Sequence, residues 1–244
     1  MNRITERQLR QHREQGYFVT EPQWSAKELA EVAAEFDHLI EENIREAERS
    51  DDAQKLAFAK TRPFIGMAHK KSPLLARFVK SPVYVEACAR LIGPDADLYY
   101  NQIVVKPPEK GRSFNWHQDS GYTITKPLEY ITCWTAIGRA FVENGCIWVI
   151  PGSHKRGLIE HRLNEQSHST DAVIESEEDA LPVEMQAGQV AIFNSLLLHK
   201  SGPNVSREVR RAYVPQYHHA RVVRADNGQP LGDRVPIVRR GRPV

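Results

Sequence analysis

The stretch QVAIFNSLLLHKSG, residues 189–202, decides the fold class of this chain of 244 residues. It is a short apolar run that ends on a histidine and a Ser-Gly turn, which is typical of a buried strand. Three runs of similar β-branched and aromatic composition precede it: LYYNQIVVKPP (98–108), YITCWTAIG (130–138) and GCIWVIPG (145–152). Gly, Pro and Asn punctuate these runs. We therefore predict a strand-rich core over about residues 96–225.

The first part of the chain, about residues 1–95, has helical patterns instead. Thr5 followed by Gln8 is a capping-box signature, and Ser25 followed by Glu28 repeats it. The second box opens a segment whose apolar residues recur at helical spacing: Leu29, Val32, Phe36, Leu39 and Ile40. Helices first and strands afterwards indicate an α+β fold. For about eight short strands, a double-stranded β-helix (a jelly roll, or cupin-like core) with packed N-terminal helices fits best.

We predict one domain over residues 1–244, because this length suits a single core and no linker or repeat interrupts the chain. Two polar segments lie outside the predicted strands. Residues 162–182 are acidic, and we expect a long surface loop that is either a lid or a solvated excursion. The segment after about residue 225 is basic and turn-rich, and we expect a solvated C-terminal tail.

Composition excludes several classes of protein. A net charge of +2, with 41% hydrophobic and 26% charged residues, is ordinary for a soluble globular protein and gives no global field for nucleic acid. No apolar run reaches the roughly 18 residues of a membrane span, and the N-terminus lacks the apolar region of a secretory signal. The three cysteines form no CxxC pair. We therefore expect a cytoplasmic protein with neither nucleic acid nor membrane as a partner, and its oligomeric state stays open.

The segment FNWHQDSGY, residues 114–122, carries the pattern with chemical meaning. His117 and Asp119 are two residues apart, so a strand would point both side chains to one face. His199 can add a second imidazole. Two histidines and one carboxylate form the facial triad of non-haem iron(II) oxygenases. Because the chain has ten histidines and HxD triplets occur by chance, a surface His-Asp pair remains the alternative from these residues alone.

Arg210 follows His199 by eleven residues, on what should be the next strand. A dicarboxylic cosubstrate needs a fixed cation for its far carboxylate, and arginine supplies a planar, permanently charged fork. Ser201 could add a hydroxyl hydrogen bond. Because strand neighbours face opposite ways, only one of Arg210 and Arg211 can be this anchor. The alternative is a surface charge.

With these residues identified, the chain resembles the phytanoyl-CoA dioxygenase family of iron(II)- and 2-oxoglutarate-dependent oxygenases. The resemblance rests on WHQD (116–119), ENGCIWVIPGSHKRG (143–157), HKSGPN with RRAY (199–213) and the GYFV (16–19) after the first helix. It covers nearly the whole chain and implies a double-stranded β-helix core. It also implies Fe(II), 2-oxoglutarate as cosubstrate, and O2.

The resemblance implies roles for individual residues. The iron ligands would be three residues: His117, Asp119 and His199. The contacts to 2-oxoglutarate would be four: Gln102, Trp134, Ser201 and the anchoring Arg210. Some members add an upstream basic residue, for which this chain offers several candidates: Lys60, Arg62, Lys70 and Lys71. Halogenating relatives have a small residue where this chain keeps Asp119, so the resemblance implies oxidation without chloride.

The implied reaction is hydroxylation of an unactivated C–H bond of a small metabolite, with release of succinate and CO2. The alternatives are an acyl-CoA hydroxylase of the same family, a cupin-like metal enzyme that does not use 2-oxoglutarate, and a vestigial binding protein. Three aromatics either line a pocket or belong to the core: Tyr99, Tyr100 and Tyr122. We expect His154 to pack or form a hydrogen bond and not to bind metal.

Overall fold

The computed structural model describes residues 3–50, 52–61, 63–108, 113–164, 169–232 and 234–244. Within these residues the α-helices are α1 (Glu6–Gln15), α2 (Ala26–Arg49), α3 (Ala53–Thr61), α4 (Pro73–Phe78) and α5 (Pro82–Ala87). A π-helical turn, Cys88–Ile92, continues α5. Short 3₁₀ turns cover Ala68–Lys70, Asp119–Gly121, Val142–Asn144 and Ser153–Arg156.

The strands make up most of the remaining chain. The first eight are β1 (Tyr17–Val19), β2 (Phe64–Gly66), β3 (Ala96–Lys106), β4 (Phe114–His117), β5 (Thr125–Lys126), β6 (Ile131–Ala136), β7 (Ile147–Val149) and β8 (His161–Asn164). The other eight are β9 (Ser169–Ala172), β10 (Leu181–Val183), β11 (Val190–Asn194), β12 (His199–Ser201), β13 (Arg210–His219), β14 (Val223–Arg224), β15 (Val235–Arg239) and β16 (Arg242–Pro243).

Both predicted capping boxes are formed. The hydroxyl of Thr5 accepts a hydrogen bond from the Gln8 amide at 3.2 Å, and the Gln8 side chain accepts one from the Thr5 amide at 2.8 Å. Ser25 and Glu28 make the same reciprocal pair at the start of α2. These bonds satisfy amides that a helix N-terminus otherwise leaves free. Helix α2 then continues to Arg49 and buries its apolar face.

Most of the strands form two facing antiparallel sheets, which confirms the predicted jelly-roll core, and β5 with β14 and β8 with β9 form two further two-stranded sheets. The larger sheet has the order β1-β11-β6-β13-β3-β15-β16, and β2 also pairs with β3. The smaller sheet has the order β10-β7-β12-β4. Apart from the pairs β2-β3 and β15-β16, neighbouring strands in the two facing sheets are not consecutive in sequence, because the chain crosses repeatedly between the sheets.

The alternation of β6 shows how the larger sheet serves two cores. Ile131 and Cys133 belong to the cluster that packs against α2 and its Phe36. Trp134 and Ala136 belong to the cluster between the two sheets. Each fully buried large apolar side chain contributes roughly 1.5–3 kcal/mol. The result is a layered order of helices, larger sheet and smaller sheet, with the site between the two sheets.

Two expectations, for the first and the last parts of the chain, need correction. The first 95 residues are not all helical, since β1 pairs with β11 and β2 pairs with β3. The segment after residue 225 is not a solvated tail, because β15 pairs with β3 in the larger sheet. Ile237 and Val238 are both fully buried there. Val235 also packs against the core, so the strand has three apolar residues among many arginines, and the basic composition concealed it.

Residues 162–182 also contain more structure than a loop. Strand β8 pairs with β9 as an antiparallel hairpin, and β10 joins the smaller sheet. The carboxylate of Asp171 accepts hydrogen bonds from Asn115 at 2.7 Å and from Asn164 at 2.8 Å. The polar residues thus attach the hairpin to β4. Residues 165–168 lie outside the described part of the chain.

Among the described residues, no helix combines the length and the apolar character needed to cross a membrane. The three cysteines are free and buried: Cys88, Cys133 and Cys146.

Candidate active site

Pairing in the smaller sheet brings three candidate ligands together. His199 on β12 is directly opposite His117 at the end of β4. Gln118 keeps an extended backbone, with φ −112° and ψ 136°, and Asp119 then begins the 3₁₀ turn. Because Gln118 is extended, Asp119 still faces the same side as His117. The predicted strand therefore ends two residues earlier than expected, and the expected juxtaposition survives.

The ligand atoms of these residues form a compact cluster. Nε2 of His117 lies 3.8 Å from Oδ1 of Asp119, and Nε2 of His199 lies 3.6 Å from the same oxygen. All three ligand atoms lie within 4.8 Å of one another. One ion could therefore contact two imidazole nitrogens and one carboxylate oxygen. This set of donors suits iron(II) with positions left for other ligands.

Both imidazoles are oriented by main-chain carbonyls. Nδ1 of His117 donates to the carbonyl of Asn115 at 2.8 Å, and Nδ1 of His199 donates to that of Leu197 at 2.9 Å. A proton on Nδ1 leaves the lone pair of Nε2 available to a metal. Burial, reinforced by the neighbouring His199, lowers the pKa of His117 to about 4. The imidazole is therefore neutral near pH 7, as a metal ligand must be.

The carboxylate of Asp119 is held by a chain of two polar side chains. The hydroxyl of Thr132 donates to Oδ2 of Asp119. The amide of Gln216 in turn donates to that hydroxyl at 3.2 Å. Thr132 and Gln216 are paired neighbours on β6 and β13. The chain of bonds occupies Oδ2 and leaves Oδ1 facing the imidazoles.

Gln118 anchors the opposite side of the same turn. It is fully buried, and its amide donates to the carbonyls of Gly157 at 2.8 Å and Leu196 at 2.6 Å. The side-chain oxygen of Gln118 accepts a hydrogen bond from the main-chain amide of Ile159 at 2.9 Å. The main-chain amide of Gln118 donates to Nε2 of His161 at 3.1 Å. The position of the two ligands on either side of Gln118 is therefore fixed by four hydrogen bonds.

The triad opens into a cavity of about 480 Å³ between the sheets. The remaining predicted site residues line the same cavity: Gln102, Trp134, Ser201 and Arg210. Such a volume is within the range of small-molecule sites. The structure thus gathers all seven predicted residues around one space.

Arg210 is buried without a counter-charge. It is 1% exposed, and its Nε and Nη1 atoms have no hydrogen-bond partner among the described residues. Its guanidinium carbon lies 5.3 Å from the centre of the Trp134 ring. Burial lowers the pKa of Arg210 to about 9. A buried cation without partners is costly, so the residues fit a ligand that brings a carboxylate.

Arg211 faces the helical layer and not the cavity. Of the two adjacent arginines, Arg210 is therefore the one placed to contact a ligand in the cavity. The Nε and Nη2 atoms of Arg211 bind the carboxylate of Asp37 on α2 at 2.9 and 2.8 Å. Strand alternation therefore sends Arg211 to the helical layer and Arg210 to the cavity.

The turn after β12 packs tightly against its neighbours. The ammonium of Lys106 donates to the carbonyl of Ser201 at 3.3 Å and to that of Gly202. A Cβ on Gly145 would lie 2.6 Å from the Gly202 oxygen, and Gly145 has a φ of +82°. Only glycine fits this position without a shift of the turn.

The basic cluster near residue 60 does not reach the cavity. None of its described members lines it: Lys60, His69, Lys70 and Lys71. Lys60 pairs with Glu48 at 3.0 Å instead. Arg62 lies outside the described residues. His154 binds the carbonyl of Arg13 at 3.2 Å, in agreement with the expected hydrogen-bonding role.

Sequence reasoning missed two groups of residues. Thr132 and Gln216 lie in ordinary strand patterns, and their contact exists only through sheet pairing. Their signal was a polar residue at a buried position in each strand. Tyr130 and Phe193 also line the cavity. The three tyrosines Tyr99, Tyr100 and Tyr122 line it as well, so they face the pocket and not the core.

Comparison of the sequence with family models finds phytanoyl-CoA dioxygenase (PhyH), matched over residues 12–212. A probable phytanoyl-CoA dioxygenase of Caenorhabditis elegans is 26% identical over 234 residues, covering 88% of this chain and 75% of that protein. A phytanoyl-CoA dioxygenase of Arabidopsis thaliana is 28% identical over 148 residues, covering 59% and 52%. The peroxisomal phytanoyl-CoA dioxygenase of Homo sapiens is 29% identical over 149 residues, covering 57% and 44%. The chain thus spans about half the length of the last two relatives.

Solved structures share the fold. EvdO2 from Micromonospora carbonacea var. aurantiaca, complexed with 2-oxoglutarate, has a TM-score of 0.73 and 20% identity, over 93% of this chain and 95% of that one. The α-ketoglutarate-dependent carbocyclase SnoK from nogalamycin biosynthesis has a TM-score of 0.73 and 21% identity, over 96% and 95%. At these identities the likeness concerns the fold alone.

Proposed function

The chain belongs to the phytanoyl-CoA dioxygenase family, and we propose that it hydroxylates an unactivated C–H bond of a small metabolite with release of succinate and CO2. It is an iron(II)- and 2-oxoglutarate-dependent oxygenase. The proposed iron ligands are His117, Asp119 and His199, and the proposed anchor for the far carboxylate of 2-oxoglutarate is Arg210.

One observation carries this proposal. A compact cluster of two oriented imidazoles and one carboxylate shares a cavity with a buried arginine that lacks partners. A cupin-like enzyme without 2-oxoglutarate needs the cluster but gives no reason to bury Arg210. A vestigial binding protein gives no reason for either. The pair of features favours a metal enzyme with an anionic cosubstrate.

Iron(II) with 2-oxoglutarate, when bound, activates O2 and supplies the oxidising power for the C–H bond. The residues of the chain contribute orientation. Asn115 and Leu197 hold the imidazoles through their carbonyls, and Thr132 holds the carboxylate. Arg210 would fix the cosubstrate against Trp134, and Gln102 and Ser201 would contact it further. The apolar walls would limit access of water to the reacting atoms.

A small metabolite is favoured over an acyl-CoA by the size of the site. The cavity of about 480 Å³ has to hold 2-oxoglutarate as well as the substrate. Coenzyme A would also need several cations for its phosphates. Of the described side chains that line the cavity, Lys200 and Arg210 alone are lysine or arginine. Lys200 is already paired with Glu177.

We also propose a cytoplasmic location. Three free, buried thiols are typical of proteins kept in a reducing compartment. Fractionation of cells with an antibody against the chain tests this point, and recovery in an organelle fraction would contradict it.

Anaerobic titration tests the proposed activity. Iron(II) is added to the metal-free protein, then 2-oxoglutarate, and visible absorption is recorded. We expect stoichiometric iron binding and a weak charge-transfer band on addition of 2-oxoglutarate. Admission of O2 should then release succinate. Iron binding without the band would favour the cupin-like alternative, and no iron binding would favour the vestigial protein.

The two adjacent arginines provide a matched pair of variants. Arg210→Ala should retain iron binding and lose the band, whereas Arg211→Ala should retain both. Loss of the band in both variants would indicate general damage to β13 and would count against Arg210 as the anchor.

A further inference from the structure

The cavity runs along β13 and β3, and its two ends differ chemically. Arg210 lies at the first residue of β13, and Gln216 lies six residues further along. At about 3.3 Å per residue the two backbone positions are roughly 20 Å apart, but the guanidinium of Arg210 reaches back to within 5.3 Å of the centre of the Trp134 ring on β6. Gln216 pairs with Tyr100 on β3. We call one end of the cavity the tyrosine end; it is formed by Tyr99, Tyr100, Tyr130 and Gln216.

A β-bulge directs two consecutive tyrosines into the tyrosine end. Gln216 pairs with Tyr100, but the next residue, Tyr217, pairs with Leu98, so Tyr99 is an extra residue on β3. In a regular strand Tyr99 and Tyr100 would face opposite sides of the sheet. With the bulge, both line the cavity. Bulges of this kind re-aim side chains beside functional sites.

The tyrosine end is aromatic and faces the triad. The rings of Tyr99 and Tyr130 meet edge to face at 5.1 Å, and those of Tyr99 and Tyr100 lie 6.5 Å apart. Tyr122 is half exposed, and its ring lies 5.6 Å from that of His117. Aromatic walls of this kind accept a flat or cyclic apolar body by stacking and edge contacts.

The polar groups of the tyrosine end are neutral. The side-chain nitrogen of Gln216 is used by Thr132, so its oxygen remains as an acceptor. Tyr99, Tyr100 and Tyr130 line the cavity, and each carries a phenol group. Phenols can donate and accept, so the set matches hydroxyl or carbonyl groups of a ligand.

Positive charge lies elsewhere. Lys200 alternates with His199 and Ser201 on β12; its ammonium binds Glu177 and lies 4.8 Å from the Trp116 ring. The guanidinium of Arg210 lies beside Trp134, where it is proposed to hold the cosubstrate. Arg224 acts electrostatically on Tyr99, but it is paired with Asp226 and does not line the cavity. A carboxylate or phosphate at the tyrosine end would therefore lose its hydration without gaining an unpaired cation from the described side chains that line the cavity there, which is costly.

We infer that the tyrosine end binds an uncharged substrate with a flat or cyclic apolar body and at least one hydroxyl or carbonyl group. This inference rests on the proposed function and specifies its substrate class. Tyr99, Tyr100 and Gln216 are the specificity-determining residues. The bulge is the structural reason that two of them share one site.

Calorimetric titration with matched probes tests the inference. The protein is loaded with iron(II) and 2-oxoglutarate without O2, then titrated with 2-naphthalenemethanol, with 2-naphthoate and with coenzyme A. We expect the neutral alcohol to bind about tenfold more tightly than the carboxylate of the same ring system. Coenzyme A should not compete with it. Tighter binding of 2-naphthoate, competition by coenzyme A, or no binding of the alcohol would each overturn the inference.

Variants assign the binding to the tyrosine end. Tyr99→Phe and Tyr100→Phe each remove one phenol hydroxyl at nearly constant volume, and each should weaken binding of the alcohol about three- to tenfold. Tyr17→Phe removes a phenol on β1 outside this cavity and should leave binding unchanged. Unchanged affinity in both cavity variants, with unfolding midpoints like that of the natural protein, would also overturn the inference.

The charge-transfer band separates this inference from the proposed function. A protein that shows the band but does not bind 2-naphthalenemethanol keeps the proposed activity and loses the substrate class. A protein that binds the alcohol at the tyrosine end without the band keeps the ligand class and loses the proposed activity.

Discussion

The hydroxyl of Thr132 donates a hydrogen bond to Oδ2 of Asp119, while Oδ1 of the same carboxylate lies 3.6 Å from Nε2 of His199. The two oxygens therefore have different environments. The direction of the hydrogen bond between Thr132 and Asp119 is fixed as well. The hydroxyl oxygen of Thr132 accepts from Gln216, and its proton is donated to Asp119. The metal-facing oxygen is selected by residues on the larger sheet, although the imidazoles are both on the smaller one.

Thr132→Val should weaken iron binding. The substitution keeps the volume but removes the only proton that Thr132 offers to Asp119, so the carboxylate can rotate away from the imidazoles. Loss of such an outer partner typically costs about 10- to 100-fold in metal affinity. Anaerobic competition for iron(II) with a chromophoric chelator measures the effect, and Thr132→Ser should restore most of the affinity.

Thr135→Val is the matched control for Thr132→Val. Thr135 is also buried on β6, but its hydroxyl pairs with the phenol of Tyr84 at 2.6 Å on the helical side. This variant should lose stability, by about 1 kcal/mol, and keep its iron affinity. Equal losses of iron affinity in the two variants would show that the effect is not specific to Asp119.

Arg210→Met should stabilise the protein in the absence of 2-oxoglutarate. The natural side chain leaves two buried nitrogen atoms without partners, and methionine fills similar space without a charge. We expect the free energy of unfolding to rise by about 1–3 kcal/mol. Thermal unfolding of the cosubstrate-free protein measures this change, and a fall in stability would contradict the unpaired state of Arg210.

Addition of 2-oxoglutarate should make the natural protein more stable than Arg210→Met, the reverse of the order expected without the cosubstrate. The natural protein gains about 2.7 kcal/mol at a ligand concentration of 100 times Kd, whereas Arg210→Met should gain little. Arg211→Met is the control, since Arg211 binds Asp37 outside the cavity. It should lose a small amount of stability and keep the full response to 2-oxoglutarate.

The sequence predicted the fold class and the candidate ligands, but not the polar side chains that support these ligands. His117 and Asp119 are close in sequence, and their spacing already implies a common face. Thr132 and Gln216 are 84 positions apart and meet only because β6 pairs with β13. The bulge at Tyr99 depends in the same way on the partner strand. Features that arise from strand register are not visible in local patterns.

The missed strand β15 has a related cause. Its apolar residues Ile237 and Val238 stand in a segment with many arginines, so composition favoured a solvated tail. Pairing with β3 covers both side chains completely. Long-range pairing thus overrode the local polar pattern.

Stability should fall between about pH 7 and pH 5 because of His12. Burial, with a smaller effect of His154, lowers the pKa of His12 from 6.5 to about 4 in the folded protein. The unfolded chain therefore binds more protons than the folded one in this range, and acid favours unfolding. The stabilisation is complete above about pH 6.5 and is lost progressively toward pH 4.

His12→Phe should flatten this dependence. Phenylalanine keeps an aromatic ring against Phe18, whose ring lies 6.1 Å away, and removes the titration. Urea unfolding at about pH 7 and pH 5 should show the natural protein losing about 2 kcal/mol more than the variant. His38→Phe, at an exposed position of α2, should retain the natural slope. Equal slopes for His12→Phe and the natural protein would contradict the buried, neutral state of His12.

Gly145→Ala should destabilise the protein and disturb the iron site together. Two costs add at this position: the left-handed φ of +82°, and a Cβ only 2.6 Å from the Gly202 oxygen. Gly228→Ala separates them, because Gly228 has a φ of +69° but nothing within 4 Å of the added Cβ. We expect a loss of about 1 kcal/mol for Gly228→Ala.

For Gly145→Ala we expect a loss of roughly 3 kcal/mol, since the added methyl group must push a main-chain carbonyl. Gly202 directly follows β12, so the displaced turn carries His199 with it and iron affinity should fall. Urea unfolding and iron competition measure the two effects. If Gly145→Ala lost stability but kept the iron affinity of Gly228→Ala, the turn would adjust without moving β12, and the coupling between Gly145 and His199 would be absent.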